Sequence, residues 1–382
     1  MSQQTRTFRL DKGGRIDRSR PVEFVFNGKT YQGYQGDTVA SALLANGVHL
    51  VGRSWKYHRP RGIVGSGAEE PNAILQLNEG QVTVPNARAT QVELYQGLRA
   101  RSVNCWPSVE FDAMAWSGLL GKFMPAGFYY KTFMWPQSWW MKYEKFIRKA
   151  AGLGEAPTQP DPDHYDKTFA HCEVLVAGGG PAGLCAALAA ARAGARVILA
   201  DEQPEFGGSL LGSRDLIDGK PATQWVEAVL AELASYPDVT LLPRATVYGY
   251  LDHNFLAITQ RLTDHLPPGS SRGPRERLWK VRAKQVVLAT GAHERPLVFS
   301  NNDRPGVMLA SAVSTYINRY AVRPGSQAVV FTNNDSAYQS ALDLLDAGIP
   351  VNAVVDVRAN PQGDLPKAVR ARGVEILAGA AV

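Results

Sequence analysis

Six consecutive residues, Gly178-Gly179-Gly180-Pro181-Ala182-Gly183, have the types and spacing to hold a phosphate-bearing ligand. They fit G-x-G-x-x-G, in which the first glycine permits a tight turn, the second lets the backbone approach a pyrophosphate, and the third allows a helix to pack closely on a strand. Alone the match is weak, and its surroundings decide. It follows the apolar run Glu173-Val174-Leu175-Val176-Ala177, opens a run of small residues ending at Ala193, and is followed by a second apolar run, Arg196 to Ala200, that ends at Asp201-Glu202. That is one strand–helix–strand unit in about thirty residues. The helix N-terminus offers N–H groups and positive dipole to phosphates. A carboxylate at Asp201, or at Glu202 one residue on, can accept hydrogen bonds from ribose hydroxyls while repelling a 2′-phosphate, so NAD or FAD is favoured over NADP.

Further along, Ala289-Thr290-Gly291-Ala292-His293-Glu294-Arg295-Pro296 follows an apolar strand, where a chain crossing near the nucleotide is expected. A second strand–helix–strand pattern runs from Gln327 to Val355, but its loop reads Thr332-Asn333-Asn334-Asp335-Ser336-Ala337, without the glycines a pyrophosphate needs. No ordinary nucleotide is expected there. Arg53, Lys56, His58, Arg59 and Arg61 interleave with Trp55 and Tyr57, a mixture that could bind single-stranded nucleic acid but reads better as a subunit contact or a solvated loop. Cys105, Cys172 and Cys185 have no spacing for a zinc site or a disulfide framework, so no metal is expected. His293 could act as an acid or base, yet is read as structural, and the catalytic residues stay unknown.

These residues must be positioned by larger elements. Val22 to Phe26 and Thr30 to Tyr34 flank Asn27-Gly28 and read as a hairpin. Asp37 is expected to cap a helix over Thr38 to Asn46, and Ala73 to Leu77 with Gln81 to Val84 a second hairpin, giving a small β-grasp unit that closes near Leu94. From Trp106 to Phe146 aromatics crowd together, including Trp116, Phe128, Tyr129, Tyr130, Trp135, Trp139 and Trp140. A protein interface, a connector packed on neighbouring domains, and a membrane-surface helix are the three readings. Gly152 to Asp166 reads as a proline-rich linker. Strands are expected at Val239 to Leu242, Trp279 to Arg282, Gln285 to Ala289 and Val374 to Leu377.

The 382 residues are 45% hydrophobic and 20% charged, which excludes a disordered or fibrous chain. Although the net charge is +6, the basic residues are scattered among 35 acidic ones, so no nucleic-acid partner is expected. The N-terminus lacks the apolar core of a signal peptide, and no apolar run approaches the ~20 residues of a membrane helix. A reducing, cytoplasmic setting and no membrane association follow as expectations.

The first strand–helix–strand unit, Asp201-Glu202-Gln203, Gly207-Gly208, Ala289-Thr290-Gly291 and the second unit together resemble the two-dinucleotide-binding flavoproteins. More narrowly, Gly291 to Pro296, Asp303-Arg304-Pro305-Gly306-Val307-Met308, and Arg53 to Gly62 resemble the α-subunit family of heterotetrameric sarcosine oxidases, over nearly the whole chain. The resemblance implies an α/β fold: a two-dinucleotide-binding, Rossmann-like domain preceded by a small β-grasp, ferredoxin-like domain. Related modules hold a [2Fe–2S] cluster on four cysteines, whereas the loop Gly62 to Ala73 has none, so this one is expected to lack iron–sulfur ligands. The expected division is 1–95 for the β-grasp domain, 96–170 for the connector and linker, 171–325 for the dinucleotide-binding domain, and 326–382 for a second, degenerate and incomplete unit.

By the same resemblance the complex demethylates sarcosine to glycine, passes the one-carbon unit to tetrahydrofolate or releases formaldehyde, and forms hydrogen peroxide. NAD, not evidently a turnover substrate, would occupy the loop of this chain, with FMN at the interface with the β subunit and FAD in the β subunit. The partners would be the β, γ and δ subunits. The implied cofactor-binding residues are Gly178, Gly180, Pro181, Ala182, Gly183, Asp201, Glu202, Gln203, Gly208, Ser209, Thr290 and Gly291, with Val247 meeting the adenine end through its backbone. The family continues into a folate-binding part, so this chain is expected to be an incomplete α subunit, inactive in isolation. Two readings compete: an FAD-dependent subunit of the opine or cyanide-forming dehydrogenase class, and a non-catalytic NAD-binding assembly subunit.

Overall fold

A computed structural model describes residues 8–55, 57–116, 118, 127, 135–150 and 152–382. The chain divides into two compact units, the first built from 1–161 with 296–382 and the second from 162–295.

In the first unit, β1 (Asp17–Phe26) and β2 (Lys29–Gln35) form the expected hairpin, with Asn27 and Gly28 at φ 49° and 78°. Those positive φ values match the right-handed twist of the strands. Helix α1 (Val39–Ala45) is capped by Thr38, whose hydroxyl accepts from the Ser41 N–H, and not by Asp37 as expected. Asp37 is instead wholly buried, accepting a bidentate pair from Arg9 at 2.6 and 3.1 Å and a hydrogen bond from the Ser41 hydroxyl at 2.6 Å. A carboxylate so placed is tolerable only because it is paired.

After the short pair β3 (Gly52–Arg53) and β4 (Pro60–Arg61) come β5 (Ile74–Leu77), β6 (Val84–Arg88) and β7 (Arg99–Ser102). The sheet order β2-β1-β7-β5-β6, with β1 and β7 parallel, is the β-grasp arrangement. Two expectations shift. The strand placed at Gln81 to Val84 begins at Val84, because Gly80–Val82 forms a 3-10 turn. The domain does not close near Leu94, since the central strand β7 lies beyond it. Residues 152–155 pack on the β5–β6 hairpin, with Gly154 N donating to Asn86 Oδ1 and Glu155 N to Gln76 Oε1, so the expected linker is partly docked. Helix α2 (Trp140–Ala150) precedes it; Phe128, Tyr129 and Tyr130 lie outside the described residues.

The second unit opens with β8 (Tyr165–Ala177), followed by α3 (Pro181–Arg192) and β9 (Val197–Ala200). The small hairpin β10 (Leu216–Ile217) and β11 (Lys220–Pro221) leads to α4 (Ala222–Ala234) and β12 (Val239–Leu242). A meander, β13 (Ala245–Leu251) and β14 (Phe255–Arg261), returns to β15 (Glu276–Leu288). The order β12-β9-β8-β15-β14-β13 puts four parallel strands beside two antiparallel ones. Val176, Leu184, Ala187, Val197, Leu199, Val226 and Leu233 form the core between this sheet and helices α3 and α4. The two strands expected at Trp279 to Arg282 and Gln285 to Ala289 are one long strand.

The chain then rejoins the first unit. Helix α5 (Ala310–Asn318) contributes Ala312 and Tyr316 to the same core as Phe24, Leu43 and Leu75. Residues 296–325, expected with the dinucleotide-binding domain, therefore sit in the other unit: Leu309, Ala312, Tyr316, Tyr320 and Val322 are buried in the core of the front sheet. β16 (Ala328–Thr332), α6 (Ser336–Asp346), β17 (Val351–Asp356), α7 (Asp364–Ala371) and β18 (Ile376–Ala378) complete it, with a parallel sheet β16-β17-β18. Among the described residues no helix is long and apolar enough to cross a membrane.

Candidate nucleotide site

Each glycine of the loop between β8 and α3 can be asked why it is a glycine. Gly178 has φ 105°, and a Cβ there would lie 2.3 Å from the Ala289 carbonyl oxygen. At Gly179 a Cβ would meet the Phe206 ring at 2.3 Å, and at Gly183 the Gly178 carbonyl oxygen at 1.8 Å. Packing alone explains these three. Gly180 differs: a Cβ there would meet nothing nearer than the Gly208 Cα at 3.8 Å, an ordinary contact. Its φ of −75° is open to any residue as well, so neither packing nor backbone strain requires a glycine. What its missing side chain leaves is room directly over the start of α3.

That start is bare of side chains. Gly180 is the N-cap, Pro181 occupies the first turn, and no side chain caps the helix, which leaves the N–H groups around Ala182 and Gly183 and the positive end of the helix as the local electrostatics. The opposite wall comes from Gly207 and Gly208, at φ 130° and 54°, with Ser209 next in the 3-10 turn Gly208–Gly212. Gly207 N donates to the Gly179 carbonyl at 2.8 Å, and a Cβ on Gly208 would lie 2.8 Å from the Gly180 Cα. The two glycine pairs thus depend on each other. Gly179, Phe206 and Gly207 were not among the expected site residues; the sequence signal for the last was the Gly207-Gly208 pair itself.

Asp201 stands immediately after β9 and is almost wholly buried. Its Oδ2 accepts from Gly179 N at 2.5 Å and its Oδ1 from Gln203 N at 2.8 Å, so the carboxylate ties the glycine loop to the turn after β9. Ala245 N donates to the Asp201 carbonyl at 2.7 Å and Arg244 N to the Gln203 carbonyl at 2.9 Å, which brings the start of β13 to the same place. Val247 lies two residues further along β13, about 7 Å on, with its side chain on the same face as that of Ala245. The Glu202 carbonyl accepts from Arg261 Nη2 at 2.9 Å. Thr290 and Gly291 follow β15 and are exposed, Gly291 at φ 71° with no atom within 4 Å of an added Cβ. The geometry thus gathers the glycine loop, Asp201 to Gln203, Gly208, the foot of β13 and Thr290, whose backbone nitrogen would lie 3.1 Å from a Cβ on Gly178; Val247 and Gly291 are placed only by their strands.

The second loop, between β16 and α6, is filled by its own side chains. Asn334 Oδ1 accepts from Ser336 N at 3.0 Å and from the Ser336 hydroxyl at 2.6 Å. Asp335 pairs with Arg358 at 2.8 Å, and Arg358 also pairs with the fully buried Asp356 at 2.7 Å. Tyr338 donates to Asp356 Oδ2 at 2.8 Å, and burial followed by that bond raises its pKa to about 12. Where the first loop leaves room, the second carries a carboxylate.

The basic cluster of the front unit turns inward. Arg53 donates to the carbonyls of Val109 and Glu110, and Arg59 makes a bidentate pair with Asp303, both bonds at 2.7 Å. Arg61 pairs with the same carboxylate, and His58 Nδ1 lies 2.6 Å from Asp112. Lys56 lies outside the described residues. Arginines spent on internal carbonyls and carboxylates are not a phosphate-binding surface. Among the described residues no group of His, Cys, Asp and Glu could hold a metal ion.

Residues 19–105 match the family described as "2Fe-2S iron-sulfur cluster binding domain", and 173–239 the family described as "FAD dependent oxidoreductase". The chain is 54% identical to Sarcosine oxidase subunit alpha of Rhizobium meliloti (strain 1021) over 92% of its own length and 36% of the relative's. To the protein of the same name from Corynebacterium sp. (strain U-96) it is 41% identical, over 97% of this chain and 34% of that one. Among solved structures, the L-proline dehydrogenase from P. horikoshii matches with a TM-score of 0.60 at 20% identity, covering 94% of this chain and 57% of that one, a likeness of fold. The fold is thus α/β, a ferredoxin-like domain with a Rossmann-like oxidoreductase domain. The chain spans about a third of the length of the curated relatives it matches. Over that third it is similar to the sarcosine oxidase α subunits.

Proposed function

We propose that this chain is the dinucleotide-binding portion of a heterotetrameric sarcosine oxidase α subunit, with NAD held on the loop Gly178 to Gly183. The observation that carries this reading is Gly180, the one glycine of the motif that neither packing nor φ demands. A pyrophosphate over it would face the N–H groups of Ala182 and Gly183 and the positive end of α3. The adjoining ribose would lie toward Asp201 and Glu202, with Gln203, Gly208 and Ser209 along the same cleft, the adenine toward Val247, and Thr290 and Gly291 at the end of β15. NAD supplies, when bound, a ring able to accept a hydride. This chain's residues bind and orient; no proton transfer is assigned to any of them.

The oxidative demethylation of sarcosine to glycine, with tetrahydrofolate or formaldehyde receiving the one-carbon unit and hydrogen peroxide formed, belongs in this proposal to the cytoplasmic assembly with β, γ and δ subunits. FAD would reside in the β subunit and FMN at its interface with this one. Identity to two relatives named as α subunits supports that placement. Titration calorimetry with NAD, NADP and FAD tests the site. NAD should bind the wild type, and Gly180→Ala should weaken it about tenfold or more, ~1.4 kcal/mol, without lowering Tm. Unaltered affinity in that variant would remove the pyrophosphate from Gly180.

A further inference from the structure

The front unit resembles an iron–sulfur domain over residues 19–105, yet that stretch contains a single cysteine, Cys105. A [2Fe–2S] cluster needs four thiolates, or two thiolates and two imidazoles. The group does not fit. What fills the loop between β4 and β5 is a carboxylate. Glu70 is buried at 1% exposure, and its Oε2 accepts from Val64 N and Gly65 N, each at 2.7 Å. Its Oε1 accepts from Asn72 N at 2.7 Å and Ala73 N at 2.9 Å. Beside it, Glu69 Oε1 accepts from Ser66 N at 2.6 Å and Gly67 N at 3.0 Å. A Cβ at Gly65 or Gly67 would lie 2.6 or 2.8 Å from the Glu69 carboxylate, so both glycines are where an acid must pass.

Backbone N–H groups that converge from both arms of a loop form a concavity for an anion, the arrangement used to bind phosphates and iron–sulfur clusters. Here the anion is covalently part of the chain. The loop is in turn fastened to α5 and the residue before it: Leu309 N donates to the Val64 carbonyl and the Tyr316 hydroxyl to the Gly65 carbonyl, both at 2.9 Å. We propose that Glu70, helped by Glu69, takes the place of a cluster as the internal anion of this loop, so that the front domain is a metal-free platform fastening α5, not an electron carrier.

Native-state hydrogen exchange on the wild type tests this without a mutation. The amides of Val64, Gly65, Asn72 and Ala73 lie outside any strand but should be protected like those of β1. In Glu70→Gln, which keeps one carbonyl acceptor, one pair of amides should stay protected and the other should exchange at least about tenfold faster. Glu70→Ala should lose both, and added formate, but not chloride at equal ionic strength, should restore them. Wild-type amides that exchange like open loop, undiminished protection in both variants, or two irons with acid-labile sulfide per purified chain would each overturn the proposal. If Glu70→Ala does not fold, the wild type and Glu70→Gln decide.

Discussion

At the scale of the residue, the motif's glycines separate into those the fold needs and the one it does not. Gly183→Ala would drive a Cβ to 1.8 Å from the Gly178 carbonyl, and should lower stability by about 2 kcal/mol or more, read as a fall in Tm or denaturant midpoint. Gly180→Ala should leave both unchanged and act on the nucleotide. Asp201→Ala should weaken NAD binding more than Glu202→Ala, by about tenfold or more, because Asp201 also holds the Gly179 N–H that sets the loop. Equal affinities in the two variants would remove that assignment. The sequence pointed to Asp201 through its place at a strand's end, but could not tell that its carboxylate would bind the loop's own backbone. Hydrogen bonds to a neighbouring loop leave no local pattern.

At the scale of the element, what was legible followed from period and punctuation. The hairpin at Asn27-Gly28 and the unit β8–α3–β9 carry turn residues and apolar runs of the right length, and both form as expected. The meander β13–β14 escaped because its turn, Asp252–Asn254, lacks glycine and proline; His253 and Asn254 take positive φ instead. β7, Arg-Ala-Arg-Ser, is polar and short, yet it is the central strand, held by β1 and β5 on either side. The second unit's loop was read by the glycines it lacks, and the structure adds what stands there. Arg358→Ala should cost on the order of 2 kcal/mol, because Asp356 is fully buried and would keep only the Tyr338 hydroxyl and a backbone N–H. Urea unfolding checks this, and an unchanged midpoint would show that the pair contributes nothing net.

At the scale of the whole molecule, two segments that the sequence singled out separately turn out to be partners: Arg59 and Arg61 of the front loop meet Asp303. The Arg59 hydrogen bonds hold the Asp303 carboxyl down to about 2, with Arg61 adding to the effect. A carboxyl lowered from its unfolded value, about 3.9, stabilises the fold above that value and loses the effect as pH falls toward 2. Wild type should therefore exceed Asp303→Asn in stability at pH 6, on the order of 1 kcal/mol after solvent screening, and the gap should close between about pH 4 and pH 2. A gap independent of pH would assign the effect to packing. The same segment explains why the boundary expected at 325 falls at 295: the burial of Tyr316 against the front sheet is a tertiary event that composition does not record.

The proposed function belongs to an assembly, so the chain alone should produce no peroxide from sarcosine: its second loop is filled by Asn334 and Asp335, and its first is assigned in that proposal to NAD. Sustained turnover in a peroxide assay without added subunits would place a catalytic flavin here. The more direct measurement is the identity of the nucleotide on the first loop. Purified chain, denatured and filtered, should release NAD by mass, about one per chain, with no flavin absorbance, and the same protein stripped of nucleotide should rebind NAD by calorimetry. Release of FAD, or no nucleotide together with no NAD binding, would contradict the assignment of Gly178 to Gly183.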